Sequence, residues 1–123
     1  MPTRKVIRPD APGPFSPGLV VDGWVYLAGQ GGFDPETGEL GSDIASQTAQ
    51  TIENVKTLLA EAGCTLQDVV SCLVHITDAD HFAELNRVYE SYFDAPRPVR
   101  TTVVADLVVR GMLVEITVVA RSD

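Results

Sequence analysis

The chain has 123 residues, of which 45% are hydrophobic and 21% charged, so it fits one globular domain, residues 1–123, rather than a disordered chain. Its net charge of −8 repels phosphate backbones and argues against a nucleic-acid partner. Neither a membrane span, which needs roughly 20 apolar residues, nor a signal peptide or a cysteine framework is visible, so we expect a cytoplasmic protein without a membrane partner.

The first 17 residues contain five prolines and are predicted to form an extended arm, because proline fixes φ and removes a hydrogen-bond donor. The apolar pair Val20-Val21 and the run from Trp24 to Leu27 follow, separated by Asp22-Gly23. Asp-Gly between apolar runs is typical of a type I′ turn, in which both central residues have positive φ. The spacing therefore predicts a β-hairpin.

Three glycines among the four residues from Gly29 to Gly32 interrupt the pattern after this hairpin. They indicate a place where the backbone approaches another group closely. A phosphate-binding loop is the alternative, but the spacing matches neither a P-loop nor a Rossmann turn.

The rest of the chain alternates between helical and strand patterns. Amphipathic helices are predicted at about 43–62 and 82–93. Apolar, β-branched runs predict strands at 69–77 and at about 99–105 and 113–121. Together with the hairpin, the order is ββαβαββ, an α+β layout in which two helices cover one face of a mixed sheet.

Alternation along the last two strands assigns side chains to the two faces of this sheet. Assigned to the helix-covered face are Val114, Ile116, Val118 and Ala120, with Thr101, Val103 and Ala105. Assigned to the uncovered face are Leu113, Glu115, Thr117 and Val119, with Arg100, Thr102 and Val104. A half-apolar face that no helix covers usually contacts another subunit, so we expect an oligomer.

Arg100 and Glu115 allow two interpretations. One is a cross-strand ion pair, which contributes little to stability when it is exposed. The other is a site for a small carboxylate, because the guanidinium offers a fork of donors that matches two oxygens at once. The residue types alone leave both interpretations open.

The histidines and cysteines do not form a recognisable centre. His75 and His81 lie apart from other potential ligands, so we expect structural or surface roles for both and no metal site. Cys72 alternates with Val70 and Val74 and is predicted to be a small core residue.

Seven stretches, in order along nearly the whole chain, resemble the YjgF/RidA family of the Rid superfamily. They are GPFSPG, DGWVYLAGQ, DPETGEL, QTIENVKTLLAEAGCTLQDVV, FAELNRVYESYF, PVRTTV and VEITVVA. The resemblance implies a chorismate-mutase-like fold and a homotrimer with clefts between its subunits. It also implies a hydrolase of C=N bonds, of the 2-iminobutanoate/2-iminopropanoate deaminase type. Such an enzyme converts reactive 2-imino acids, including those derived from 2-aminoacrylate, to 2-keto acids and ammonia.

The same resemblance implies roles for individual residues. Arg100 is the position that binds the substrate carboxylate, Glu115 the position that holds the attacking water, and Asn86 lies near the cleft. We expect the backbone at Gly29 to line the pocket. With these groups in place, a protonated imino acid is electrophilic enough at C2 that neither a metal nor an organic cofactor is required.

The chain departs from the family pattern at three substrate-binding positions. Phe15, Ala28 and Thr102 stand where family members often carry tyrosine, serine and cysteine. These departures remove hydroxyl or thiol contacts and put substrate preference and rate in doubt. A non-catalytic trimer that binds small carboxylates is therefore an alternative. An endoribonuclease is a further alternative, against which the negative charge and the lack of a histidine acid/base pair argue.

Overall fold

The computed structural model describes residues 3–122 as six strands in one sheet and two α-helices. The strands are β1 (Arg4–Ile7), β2 (Gly18–Val21), β3 (Trp24–Leu27), β4 (Val69–Ile76), β5 (Val99–Val104) and β6 (Val114–Arg121). The helices are α1 (Ile44–Glu61) and α2 (Phe82–Tyr92). The strand order across the sheet is β1-β2-β3-β6-β4-β5. Only the β4–β5 pair is parallel, so the predicted mixed sheet with two helices is confirmed.

The hairpin formed by β2 and β3 has the predicted turn. Asp22 and Gly23 have φ values of 51° and 82°, and Val21 lies opposite Trp24 across the turn. Positive φ at both central residues is the signature of the type I′ turn, whose twist matches that of the strands it joins.

The prediction for the N-terminal arm is wrong in one respect, because Arg4–Ile7 forms the edge strand β1 and pairs with β2. The next proline after Pro2 is Pro9, so every residue of this strand is free to donate hydrogen bonds. Ile7 is buried in the core. The observed order is therefore βββαβαββ. Met1, Pro2 and Asp123 lie outside the described residues.

Both helices lie within one residue of their predicted bounds. The carboxylate of Asp43 accepts a hydrogen bond of 2.7 Å from the backbone N–H of Ser46 and so caps α1. On α2, Leu85 and Tyr89 are buried, whereas Phe82 is 44% exposed. Phe82 is the first residue of α2 and contacts the side chain of Arg100 on the edge strand β5. Neither helix among residues 3–122 is long and apolar enough to cross a membrane.

The faces of β6 are as predicted, whereas those of β5 are reversed. Residues opposite each other in a ladder share a face, and Arg100 lies opposite Cys72, which lies opposite the buried Val118. Arg100 therefore belongs to the helix-covered face. The same pairings place Thr102 and Val104 on that face, and Thr101 and Val103 on the uncovered face. As an edge strand, β5 has a burial pattern set by its register with β4 and not by its own alternation of apolar residues.

Candidate functional site

Arg100 is held in place by three side chains of α2. Its Nη2 donates a hydrogen bond of 2.7 Å to Oδ1 of Asn86. Its guanidinium carbon lies 4.7 Å from the ring centroid of Tyr89 and 5.6 Å from that of Phe82. Residues 82, 86 and 89 are spaced by four and three, so they lie on one face of the helix. This face stabilises the cation through π contacts and one hydrogen bond.

The Arg100 side chain lines a cavity of ≈ 540 Å³, a volume typical of sites for small molecules. Asn86, Tyr89, Glu90, Arg97, Pro98 and Arg100 line this cavity. The guanidinium group has five N–H donors, and only one of those of Arg100 is used by a residue between 3 and 122. The remaining donors can bind a carboxylate in the cavity.

Tyr89 and Cys72 beneath Arg100 are uncharged packing groups. Burial raises the pKa of the Tyr89 hydroxyl, and the neighbouring charges of Arg100 and Arg97 offset only part of that shift. Cys72 is 2% exposed, which confirms the prediction of a core residue. Its burial raises the pKa of the thiol and makes a reactive thiolate unfavourable.

Glu115 lies on the other face of the sheet. Its Oε1 is 3.9 Å from Nδ1 of His75, which is its direct partner across the β4–β6 ladder. A Cβ atom on Gly29 would lie 2.7 Å from the carboxyl carbon of Glu115. Such a distance is too short for two carbon atoms in contact, so the absence of a side chain at residue 29 makes room for the carboxylate.

The loop that carries Gly29 is fixed to β6 and to α1. The backbone groups of Gln30 and Ile116 exchange two hydrogen bonds of 2.9 Å. Asn54 on α1 donates to the carbonyl oxygens of Gly31 and Phe33 at 3.0 and 2.8 Å. The predicted close approach of this backbone is therefore confirmed. Asn54 was not identified in the sequence analysis. An amide side chain on a helix that packs against a glycine-rich loop indicates a residue that can donate hydrogen bonds to the backbone of that loop.

The predicted site residues fall into two groups. Asn86, Arg100 and Thr102 form what we call the arginine half-site, because Thr102 shares the face of Arg100 two residues along β5. The glutamate half-site consists of Ala28, Gly29 and Glu115. Ala28 adjoins Gly29, and its N–H donates to the carbonyl oxygen of Pro17.

Phe15 lies beside the glutamate half-site but is 64% exposed. Phe15 and Gly29 line a second cavity of ≈ 410 Å³, to which Asn54 and Arg8 also contribute. Gly29 thus borders both this cavity and the carboxylate of Glu115.

The two half-sites are separated within one chain. Glu115 is three residues from Val118, the β6 residue that is level with Arg100 through Cys72. With about 3.3 Å per residue and about 4.8 Å between strands, their Cα atoms are roughly 14 Å apart. The side chains also lie on opposite faces, so the prediction that Arg100 and Glu115 share the uncovered face is wrong. One small molecule cannot contact both groups of the same chain.

Among residues 3–122, no group of three or more histidine, cysteine, aspartate or glutamate side chains is arranged to hold a metal ion. The chemistry available at the two half-sites therefore comes from a guanidinium, a carboxylate, an imidazole and backbone amides.

Comparison with known proteins places this geometry in context. The sequence matches the protein family described as Endoribonuclease L-PSP over residues 6–122. It is 40% identical over 122 residues to a RutC family protein of Pyrococcus abyssi, covering 98% of this chain and 94% of the relative. It is 34% identical over 122 residues to the 2-iminobutanoate/2-iminopropanoate deaminase of Mus musculus, covering 95% of this chain and 90% of the relative.

Two crystal structures share the fold over almost their whole length. RidA from an Antarctic Psychrobacter species superposes with a TM-score of 0.90 at 38% identity, covering 96% of this chain and 99% of that one. E. coli TdcF, solved with bound serine, superposes with a TM-score of 0.90 at 32% identity, covering 97% and 99%. Sequence and fold thus agree along almost the entire chain.

Proposed function

Since this chain belongs to the YjgF/RidA family, we propose that it is an imine/enamine deaminase that converts reactive 2-imino acids to 2-keto acids and ammonia. The observation that carries the proposal is the arginine half-site, where Arg100 is fixed by Asn86 and Tyr89 and keeps donors free beside a cavity. A 2-imino acid has the carboxylate that such a guanidinium binds. The mouse deaminase and the serine bound by TdcF support this substrate class.

A homotrimer is part of the proposal. The uncovered face of the sheet carries exposed apolar side chains, among them Tyr26, Leu73 and Val103, and a face of this kind usually contacts another subunit. Because Arg100 and Glu115 lie on opposite faces, a neighbouring copy is needed to bring one to the other. We propose three clefts, each lined by the arginine half-site of one subunit and the glutamate half-site of the next, in a protein that works in the cytoplasm.

The proposed reaction needs only groups of the protein and a water molecule. Arg100 binds the carboxylate and so orients C2 of the protonated imine, which lowers the entropic cost of attack. Glu115 accepts a proton from water while the oxygen bonds to C2, giving a carbinolamine. It returns this proton to the nitrogen and then accepts the hydroxyl proton as the C–N bond breaks. The keto acid and ammonia leave, ammonia takes the last proton, and Glu115 is again a carboxylate.

A non-catalytic trimer that binds small carboxylates is the second candidate function. Phe15 and Ala28 lack the hydroxyl groups, and Thr102 lacks the thiol, that family members often carry at these positions, and this observation favours the binding trimer. Both candidates use Arg100 to bind a carboxylate, but only the deaminase needs Glu115 to move protons.

The first experiment separates these candidates. A 2-imino acid is generated in situ by an amino-acid oxidase with catalase, and ammonia and keto acid are followed with and without the protein. A deaminase accelerates the release of both products. A protein that binds pyruvate or 2-oxobutanoate but leaves the release unchanged is a binding trimer, and cleavage of added RNA in a parallel sample would support the ribonuclease instead.

The second experiment tests the shared cleft by mixing two inactive variants, Arg100→Ala and Glu115→Gln. We expect Glu115→Gln to lose on the order of 10²-fold in turnover, the contribution of a general base. After unfolding and refolding together at equal amounts, a cleft is intact when its arginine comes from one variant and its glutamate from the other. In random assembly about half of the clefts receive an intact arginine, and about half of those receive an intact glutamate, so about a quarter of wild-type activity returns.

The shared cleft has a clear counter-result. If the two residues acted within one chain, no mixture of the variants would contain an intact site, and the activity would stay at the level of the parents. Light scattering on the same samples should give three times the chain mass of 13.2 kDa, and a monomer would contradict the assembly.

A further inference from the structure

We infer that His75 positions Glu115: its Nδ1–H hydrogen-bonds the carboxylate and turns it toward the attacking water. The inference rests on the proposed function and extends it to a residue for which the sequence predicts only a structural or surface role. It starts from the fold itself, because His75 and Glu115 are direct partners across the central β4–β6 ladder.

The side chains of His75 and Glu115 lie just beyond hydrogen-bond distance of each other. Nδ1 of His75 and Oε1 of Glu115 are 3.9 Å apart, and their side chains are only 26% and 34% exposed. Nδ1 is itself buried and has no hydrogen-bond partner among residues 3–122. Buried polar atoms nearly always have a partner, and catalytic hydrogen bonds are often long before the substrate complex forms. A small side-chain rotation supplies that partner.

The surroundings favour Glu115 as the partner. On the β5 side, His75 lies opposite Val103, which has no polar side-chain atom. The Glu115 carboxylate lies against the backbone of Gly29, in the loop after β3, which offers it no polar side chain. On the β4 side, its direct neighbour across the ladder is His75.

No other ionisable group on the strands of this face competes for the carboxylate. Besides the pair, the ionisable side chains on this face of the described strands are Tyr26, Arg121 and Arg4. Tyr26 is level with Val119 and Arg121 pairs with Trp24, so both lie four to six residues along β6 from Glu115. At about 3.3 Å per residue this is roughly 13 to 20 Å. Arg4 is farther across the sheet.

Three substitutions of His75 distinguish a hydrogen-bond donor from a packing residue. The amide nitrogen of asparagine replaces Nδ1, that of glutamine replaces Nε2, and phenylalanine keeps the ring but removes both. We expect His75→Phe and His75→Gln to lower kcat on the order of 10- to 100-fold, because a carboxylate displaced by about 1 Å loses that much. His75→Asn should keep most of the activity. KM should change little, since Arg100 binds the substrate carboxylate.

The pattern across the set decides the question. A packing role predicts the opposite order, with phenylalanine best and asparagine worst, and thermal melts would follow the same order as the activity.

A measurement that needs no turnover keeps this inference separate from the proposed function. The chain has two histidines, so NMR can follow the Nδ1 resonance of His75 with that of His81 as internal reference. Glu115→Ala removes the acceptor of the hydrogen bond, so the Nδ1 resonance of His75 should shift while that of His81 stays unchanged. A His75 resonance that does not move would overturn the pair. Absence of ammonia release alongside a shifted resonance would instead overturn the deaminase.

Discussion

The two half-sites position their charged groups by opposite means. Arg100 is held by side chains, since Asn86, Tyr89 and Phe82 of α2 contact its guanidinium. Glu115 is placed by the absence of a side chain, because Gly29 leaves the space that its carboxylate fills. The first arrangement depends on helix spacing and the second on a loop pinned by backbone hydrogen bonds.

This difference shows how one sheet can supply two halves of a reaction. The cation lies on the helix-covered face at the edge strand β5, and the base lies on the uncovered face of the central strand β6. Within a chain the two charges cannot neutralise each other, so each remains available to a ligand. Substitutions at the two half-sites should therefore affect different kinetic parameters.

The largest effect should follow removal of the cation. Arg100→Ala deletes charge-assisted hydrogen bonds of about 1.5–3 kcal/mol each, and a loss of about 3 to 4 kcal/mol corresponds to a 10²- to 10³-fold drop in kcat/KM. Arg100→Lys should recover only part, because an ammonium cannot match two oxygens in one plane. The measurement is the rate of keto-acid formation from an imino acid made in situ, together with thermal melts.

The matched control for this prediction is Arg87→Ala. Arg87 is a residue of α2 itself and pairs with the exposed Glu84 of the same helix, and an exposed pair contributes little. Its activity and melting temperature should stay close to wild type. If Arg100→Ala also deaminated normally and merely melted slightly lower, Arg100 would be a structural group and the carboxylate site would lie elsewhere.

The reversed faces of β5 show which features of this fold the sequence predicts and which it does not. The β2–β3 turn was predictable because Asp22-Gly23 specifies a local backbone conformation. The faces of β6 were predictable because a central strand is paired on both sides and its alternation follows burial. The edge strand β5 offers no such constraint. Its register against β4 is a long-range property, and that register alone sets the face of Arg100.

The candidate site shows the same limit. Residue types and the family resemblance named Arg100 and Glu115, but neither contains the information that they lie on opposite faces. His75 looked isolated because its partner is distant in sequence and becomes a neighbour only through the β4–β6 ladder. The strand β1 is hidden in the sequence by the five prolines of the first 17 residues, although none of them falls within Arg4–Ile7.

A smaller but more selective effect should follow a methyl group at the glutamate half-site. In Gly29→Ala the new Cβ would meet the carboxyl carbon of Glu115 at 2.7 Å and Oε1 at 2.9 Å. The carboxylate can move away at little cost to stability, since it ends a flexible side chain. A shift of about 1 Å should nevertheless lower kcat by about 10²-fold. Kinetics and melts of the variant test this directly.

Gly38→Ala is the control for Gly29→Ala, because a Cβ atom at residue 38 would meet no nearby side chain of the described residues. Apart from its two chain neighbours, no residue between 3 and 122 has a heavy atom within 4 Å of its Cβ position, but its φ is +75°, so alanine there is strained. We expect a lower melting temperature with unchanged turnover, the reverse of Gly29→Ala. Should both variants lose stability and activity in parallel, the glutamate half-site would not depend on the space at Gly29.

The smallest effect, and the sharpest test of the arginine half-site, concerns Asn86. Asn86→Ala removes the acceptor 2.7 Å from Arg100, while the rings of Tyr89 and Phe82 still hold the guanidinium. We therefore expect KM to rise by about 3- to 10-fold with little change in kcat. This is less than the roughly tenfold or larger effect of losing a whole hydrogen bond to a charged group, at about 1.5 kcal/mol, because the two rings keep the guanidinium in place. Steady-state kinetics with an imino acid made in situ provides both parameters.

Asn86→Asp then separates a positioning role from a purely structural one. The substitution keeps the size of the side chain and strengthens its bond to Arg100, so a structural role predicts that aspartate is tolerated better than alanine. In a substrate site the added carboxylate competes for the guanidinium with the carboxylate of the substrate. The aspartate variant should then melt at least as high as wild type but show a larger KM than the alanine variant. If Asn86→Asp kept the wild-type KM, Arg100 would not be the group that binds the substrate.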